Sequence, residues 1–92
     1  MIFVDRPTWP GHGRLWSHLI SDTSLAELHA FADLVGIPPS AFERDHYDVV
    51  GDRFASMQAA GATVISSREI VAKLVQAGLR RRKVSRLACP GD

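Results

Sequence analysis

The sequence predicts a small α/β domain in which a three-stranded mixed sheet is covered by three helices, in the order β-β-α-α-β-α. Two stretches with strand-like alternation come first, and three stretches with helical periodicity follow, the last two separated by a short β-branched run. A strand, two helices and a returning strand favour a right-handed crossover onto a small sheet with helices packed against it.

The two predicted N-terminal strands are Met1–Asp5 and Leu15–Ser21, and Pro and Gly residues mark a loop over Arg6–Arg14. This connection is too short for a helical crossover, so the strands, if paired, are expected to be antiparallel. Alternation places three side chains of the second strand on one face, namely Trp16, His18 and Ile20.

The first two helices are predicted from caps and apolar spacing. Ser24 and Glu27 have the spacing of a capping box, and Gly36 ends the first helix. A second helix is predicted to begin after Asp48 and to end near Ala60, with a loop between the two helices.

The returning strand is predicted over Ala62–Ser66, and the last helix follows it. Ser66 and Glu69 form a second capping-box pair, and the apolar residues of this helix recur as far as Gly78.

Composition is that of one globular domain. The chain has 92 residues, of which 46% are apolar and 23% charged, so we expect a single domain over residues 1–83 and a flexible basic tail over residues 84–92. The first residues lack the basic and small-residue features of a secretory signal, and no apolar run is long enough to span a bilayer. Cys89 is the only cysteine, which fits a cytoplasmic location.

Positive charge is concentrated near the C-terminal end. Residues 1–78 contain six Lys or Arg and nine Asp or Glu, whereas residues 79–92 contain five Lys or Arg and one Asp. Nucleic acid is one possible partner of the basic residues Arg80, Arg81, Arg82, Lys83 and Arg86. A solvated helix end is the favoured alternative, because no aromatic residues interleave the charges.

Several short stretches, spread over most of the chain, resemble a known family. They are Val4-Asp5, Trp9-Pro10, Gly13-Arg14-Leu15-Trp16, His18-Leu19, Glu27-Leu28-His29-Ala30-Phe31-Ala32, His46-Tyr47-Asp48, Gly61-Ala62 and Ser66-Ser67-Arg68-Glu69. Together they resemble the "domain of unknown function 4031" family of small bacterial and phage proteins. The resemblance implies a small bacterial or phage-borne protein and no particular activity.

Histidines with nearby acids are the candidate catalytic residues. The candidates are His18 on a strand, His29 on the first helix, His46 and Asp48 at the mouth of the second helix, and Asp5 after the first strand. A divalent metal ion on His18, His29, His46 and Asp48 requires three elements to converge, and no close pair gives a metal-spacing signal. For His18 or His29 taken alone, a hydrogen-bonded position at the core edge is the favoured interpretation.

Arg14 and Arg53 are the candidate residues for an anion such as a phosphate group, and Trp9 and Tyr47 are candidate ligand contacts. The residues therefore favour, narrowly, a phosphoester- or nucleotide-directed site. The alternative is a binding or adaptor module that contacts nucleic acid or protein through the basic tail and the Trp9 loop. An oligomer paired through open sheet edges, such as a homodimer, is a third possibility.

Overall fold

The computed structural model describes residues 1–80, and the bounds of its elements follow the chain order. The strands are β1 Ile2–Val4, β2 Trp9–Gly11, β3 Arg14–Ser21, β4 Phe42–Glu43, β5 His46–Val50 and β6 Thr63–Val64. The helices are α1 Leu25–Leu34, α2 Phe54–Ala59 and α3 Ser67–Gln76, and two short 3₁₀ turns cover Pro39–Ala41 and Gly51–Arg53.

The α/β class, the mixed sheet and the three helices are confirmed, but the prediction of three strands is wrong. Within residues 1–80 the sheet has six strands in the order β4-β5-β3-β1-β6, and β2 also pairs with β3. β1 and β6 are parallel, and the other pairs are antiparallel. The missed strands β2 and β4 have only three and two residues, so they carry little local signal and depend on the strands beside them.

The main correction concerns β5, because the sequence predicts that these residues lead into the second helix. His46–Val50 is a strand paired with β3, and its buried residues alternate with half-buried ones. The second helix is only α2, six residues long. This correction moves His46 and Asp48 from a helix mouth onto a central strand, directly beside His18.

The sheet separates two apolar clusters. On one face, Leu19 packs with Leu28 of α1 and Met57 of α2. On the other face, Ile20 packs with Ile70 and with the remaining members of the second cluster. Because alternate residues of a strand share a face, His18 lies on the same side as Ile20, which is the side that α3 covers.

The edge of β3 that pairs with β1 also pairs with β2, and the chain leaves the sheet between them. β1 pairs with Leu19–Ser21 and β2 pairs with Arg14–Trp16. A tight turn then joins β2 to β3, with positive φ at both His12 and Gly13, as a two-residue type I′ hairpin requires. The gap between β1 and β2 falls beside His18.

The predicted helix ends are confirmed at α1 and α3. Ser24 accepts the Glu27 backbone N–H at the start of α1, and Ser66 and Glu69 form a complete capping box at α3. Gly36 has φ +77° after α1, a conformation that favours glycine. Within residues 1–80, no helix has the length and apolar character to cross a membrane.

Candidate metal centre

Asp5 fills the gap between β1 and β2 with its side chain. The carboxylate is 1% exposed, and it accepts the His18 backbone N–H at 2.6 Å and the His18 Nδ1–H at 2.9 Å. The Ser67 hydroxyl donates to the same carboxylate at 2.7 Å. Burial raises the pKa of Asp5, but the hydrogen bonds from His18 and Ser67 outweigh burial and hold the pKa below its ordinary value.

A second buried acid orients His46 in the same way. Asp45 is 5% exposed and accepts the His46 Nδ1–H at 2.7 Å. Arg80, beyond the end of α3, donates to both of its carboxylate oxygens at 2.8 and 3.0 Å. Burial raises the pKa of Asp45, but the hydrogen bonds from Arg80 and His46 lower it further than burial raises it.

The remaining ring nitrogens of both histidines converge on Asp48. Asp48 pairs with His18 across β3 and β5, and its Oδ1 lies 3.1 Å from His46 Nε2 and 4.0 Å from His18 Nε2. One nitrogen from each histidine and one oxygen of Asp48 lie within 4.8 Å of one another. Ligand atoms about 2.1 Å from a tetrahedral Zn²⁺ ion are about 3.4 Å apart, so these distances bracket the spacing that such an ion needs.

The hydrogen-bond pattern favours a cation between these three atoms. Because an ionised carboxylate only accepts hydrogen bonds, Asp5 and Asp45 fix the hydrogen of each imidazole on Nδ1. In a neutral imidazole, Nε2 then carries a lone pair, and in His46 that lone pair faces a carboxylate oxygen at 3.1 Å. A bound cation, or a second proton on the ring, relieves this contact between two acceptors.

A cleft of about 800 Å³ opens beside His18 and Asp48, next to the part of β5 that β4 does not pair. The aromatic residues Trp9, Trp16 and Phe42 contribute to its walls, with Arg53 beside them. The Trp9 ring packs edge-to-face on His18 with centroids 4.9 Å apart, yet its residue remains 48% exposed. The volume lies in the range of small-ligand sites.

The other candidates from the sequence lie apart from the cluster. The fourth of the proposed metal ligands, His29, instead contacts the hydroxyl of Tyr47 at 2.7 Å, and Tyr47 is buried in the cluster on the α1 side. Arg14 is exposed at the β2–β3 turn. Arg53 donates to the carbonyl oxygens of Val35 and Gly36 at the end of α1.

Three residues beside the cluster were missed in the sequence. They are Asp45 in the turn before β5, Ser67 at the start of α3 and Arg80 beyond its end. Ser67 contacts Asp5 across 62 positions and Arg80 contacts Asp45 across 35 positions, so no local pattern predicts these two contacts. The other basic residues named for nucleic acid, Arg81, Arg82, Lys83 and Arg86, lie outside the described residues, as does the predicted tail at 84–92.

The fold and the cluster define a class of small α/β domain with a His-His-Asp group beside an open cleft. The chain belongs to the family described as "Protein of unknown function (DUF4031)", which matches residues 2–77. Neither the curated proteins nor the solved structures contained a significant match.

Proposed function

We propose that this domain is a metal-dependent phosphoester hydrolase whose divalent transition-metal ion binds His18, His46 and Asp48. The observation that carries the proposal is the convergence of two imidazole Nε2 atoms on one carboxylate, with each Nδ1 held by a buried acid. Metal-binding histidines usually donate their other ring N–H to a carboxylate or carbonyl in this way.

The composition of the cluster favours a catalytic metal site over a structural one. Structural zinc sites have four protein ligands, whereas catalytic sites have three and keep one position for water or substrate. Among residues 1–80 the cluster has three such side chains. His18 and Asp48 line a cleft, and the side chain of Asp48 is 47% exposed. A bound Zn²⁺ ion lowers the pKa of its water to about 7 and so supplies hydroxide at neutral pH.

A phosphate ester is the substrate class that fits the rest of the cleft. In hydrolysis the oxygen of water bonds to phosphorus, the ester P–O bond breaks, and the leaving oxygen takes a proton that the water gives up. Arg53 adds a cation to the wall, and a guanidinium suits a phosphate oxygen. The exposed Trp9 ring offers a stacking surface for a planar group, such as the base of a nucleotide.

Titration with Co²⁺ and Zn²⁺ tests the metal site. We expect 1:1 binding, with the visible absorption of tetrahedral Co²⁺, and much weaker binding of Mg²⁺, because imidazole suits transition metals. Asp48→Asn and His46→Ala are expected to abolish the Co²⁺ spectrum. His29→Ala is the matched control, since it removes a histidine outside the cluster. Wild-type protein that binds neither ion contradicts the proposal.

Release of phosphate or nitrophenol tests the reaction. The Zn²⁺-loaded protein is expected to hydrolyse p-nitrophenyl phosphate, and Asp48→Asn is expected to remove that activity. Trp9→Ala should raise KM for p-nitrophenyl phosphate but not for glycerol phosphate, which has no ring to stack. Metal binding without turnover of either ester would support the metal site but contradict the proposed hydrolase activity.

The alternative function, binding of nucleic acid through the basic residues, stays a prediction. Arg80 is bonded to Asp45, so the remaining basic residues would have to contact the phosphates. Salt-dependent affinity for RNA or DNA that disappears on truncation after Arg80 would support this function. Light scattering tests the predicted homodimer.

A further inference from the structure

We propose that α3 holds the metal centre in its binding geometry from both ends, with Ser67 and Arg80 as positioning residues. The inference rests on the proposed metal site. Ser67 is the first residue of α3, and Arg80 follows the helix closely. Each contacts one of the two acids that orient the histidines, and neither is a proposed ligand.

At the N-terminal end of α3, the contact joins distant parts of the chain. Ser67 Oγ donates to Asp5 Oδ2 at 2.7 Å across 62 positions, and the same oxygen accepts His18 Nδ1–H at 2.9 Å. The hydroxyl therefore fixes the rotation of the carboxylate that orients His18. Ser67 is not the capping residue of α3, because that role belongs to Ser66.

At the C-terminal end, a bidentate pair performs the same task. Arg80 Nε and Nη2 bond to different oxygens of Asp45, so the carboxylate plane is fixed relative to His46. Between the two ends, Ile70 and Leu74 pack on Phe3 and Ile20. A rigid helix on this core holds both acids at a set separation.

Two consequences follow for metal binding. Loss of either contact should weaken the affinity for the ion, since outer-shell partners of histidine ligands contribute about 10–100-fold. Coupling is also reciprocal, so a bound ion should stabilise the packed position of α3 more than that of α1, which lies on the other face.

Affinity for Co²⁺ is the first measurement, made well below the unfolding temperature. Ser67→Ala and Arg80→Met are each expected to weaken binding by about tenfold, and Arg80→Lys should recover part of that loss. Ser66→Ala is the matched control for the first variant, because it removes the cap of α3 and leaves Asp5 untouched. Lys73→Met is the control for the second variant, because it removes a different cation, which lies within α3. Lys73 lies over the Phe3 ring, with its Nζ 4.6 Å from the centroid, whereas Arg80 is bonded to Asp45.

Hydrogen exchange is the second measurement. Zn²⁺ is expected to slow amide exchange in α3 more than in α1. The inference is overturned if Ser66→Ala weakens Co²⁺ binding as much as Ser67→Ala, which would make helix stability the cause. Equal affinity of wild type, Ser67→Ala and Arg80→Met also overturns it while leaving the metal site intact. A wild-type chain that binds no Co²⁺ overturns both proposals.

Discussion

Replacement of Asp5 by asparagine is expected to disable the metal centre by changing which nitrogen of His18 carries its hydrogen. Asn has nearly the shape of Asp, but one oxygen becomes an NH₂ group. If that group faced the His18 backbone N–H, two donors would meet at 2.6 Å. The amide oxygen must therefore keep this bond, and the NH₂ group then faces His18 Nδ1 at the 2.9 Å position.

The consequence is a change of tautomer. Nδ1 must give up its hydrogen to accept from the amide, so the neutral ring carries its hydrogen on Nε2. This is the atom that points toward Asp48, and a protonated Nε2 cannot bind a metal ion. We expect affinity for Co²⁺ to fall by about 100-fold, the upper end for a lost outer-shell partner.

The cost to folding is smaller than the cost to binding. Three hydrogen bonds to a charged acceptor become bonds to or from a neutral amide. Each of these changes lowers the free energy of unfolding by about 1 kcal/mol. Relief from burying a charge offsets part of this loss, so the free energy of unfolding is expected to fall by about 1–2 kcal/mol. The domain should remain folded.

Nitrogen NMR of the imidazole rings and Co²⁺ titration measure the two effects in the Asp5→Asn variant, with urea unfolding for stability. Asp52→Asn is the control, because Asp52 is an exposed acid on the 3₁₀ turn before α2. The reasoning is refuted if the Asp5→Asn variant binds Co²⁺ as tightly as wild type. Retention of the hydrogen on Nδ1 of His18 would refute the tautomer argument itself.

Three further variants test the surroundings of the site. Tyr47→Phe removes the hydroxyl that contacts His29 at 2.7 Å. Urea unfolding should show a free energy of unfolding lower by about 1 kcal/mol. The affinity for Co²⁺ must stay unchanged if His29 lies outside the site. Arg53→Met removes two hydrogen bonds to the carbonyls at the end of α1. We expect the free energy of unfolding to fall by about 1 kcal/mol and the KM for p-nitrophenyl phosphate to rise. An unchanged KM would show that Arg53 is not part of the anion site. The hydrogen bonds from the Ser66 backbone and side chain lower the pKa of Glu69, so its contribution to stability is present above the ordinary pKa of a glutamate and is lost as pH falls through the lowered value. The melting temperature of the Glu69→Gln variant should therefore lie below that of wild type at neutral pH and close to it in acid. A difference in melting temperature that widens in acid would contradict the expected direction of the effect.

Local signals were sufficient for the elements whose partners lie close in sequence. The capping pairs of α1 and α3 satisfy backbone groups within three positions, and the alternation along β3 separates Leu19 from Ile20. Such contacts depend on the backbone geometry of a single element, so the sequence pattern specifies them.

β5 shows where local signals fail. His46–Val50 alternates between buried and half-buried residues, but five residues also fit the approach to a helix. Pairing with β3 decides the matter, because it satisfies the backbone of β5 with a strand about 30 positions away. β2 and β4 are still shorter, and their pairing partners determine them.

For the candidate site, the sequence by itself determined that His18 faces the side of Ile20. It also identified His18, His46, Asp48 and Asp5 as candidates. Only the tertiary structure showed that His29 lies apart from these residues. It also showed that Asp45, Ser67 and Arg80 lie beside them. The physical reason is that a ligand group is oriented by hydrogen bonds from distant elements, here across 62 positions from Ser67 to Asp5 and 35 from Arg80 to Asp45. Such bonds form only when the sheet and α3 have packed together.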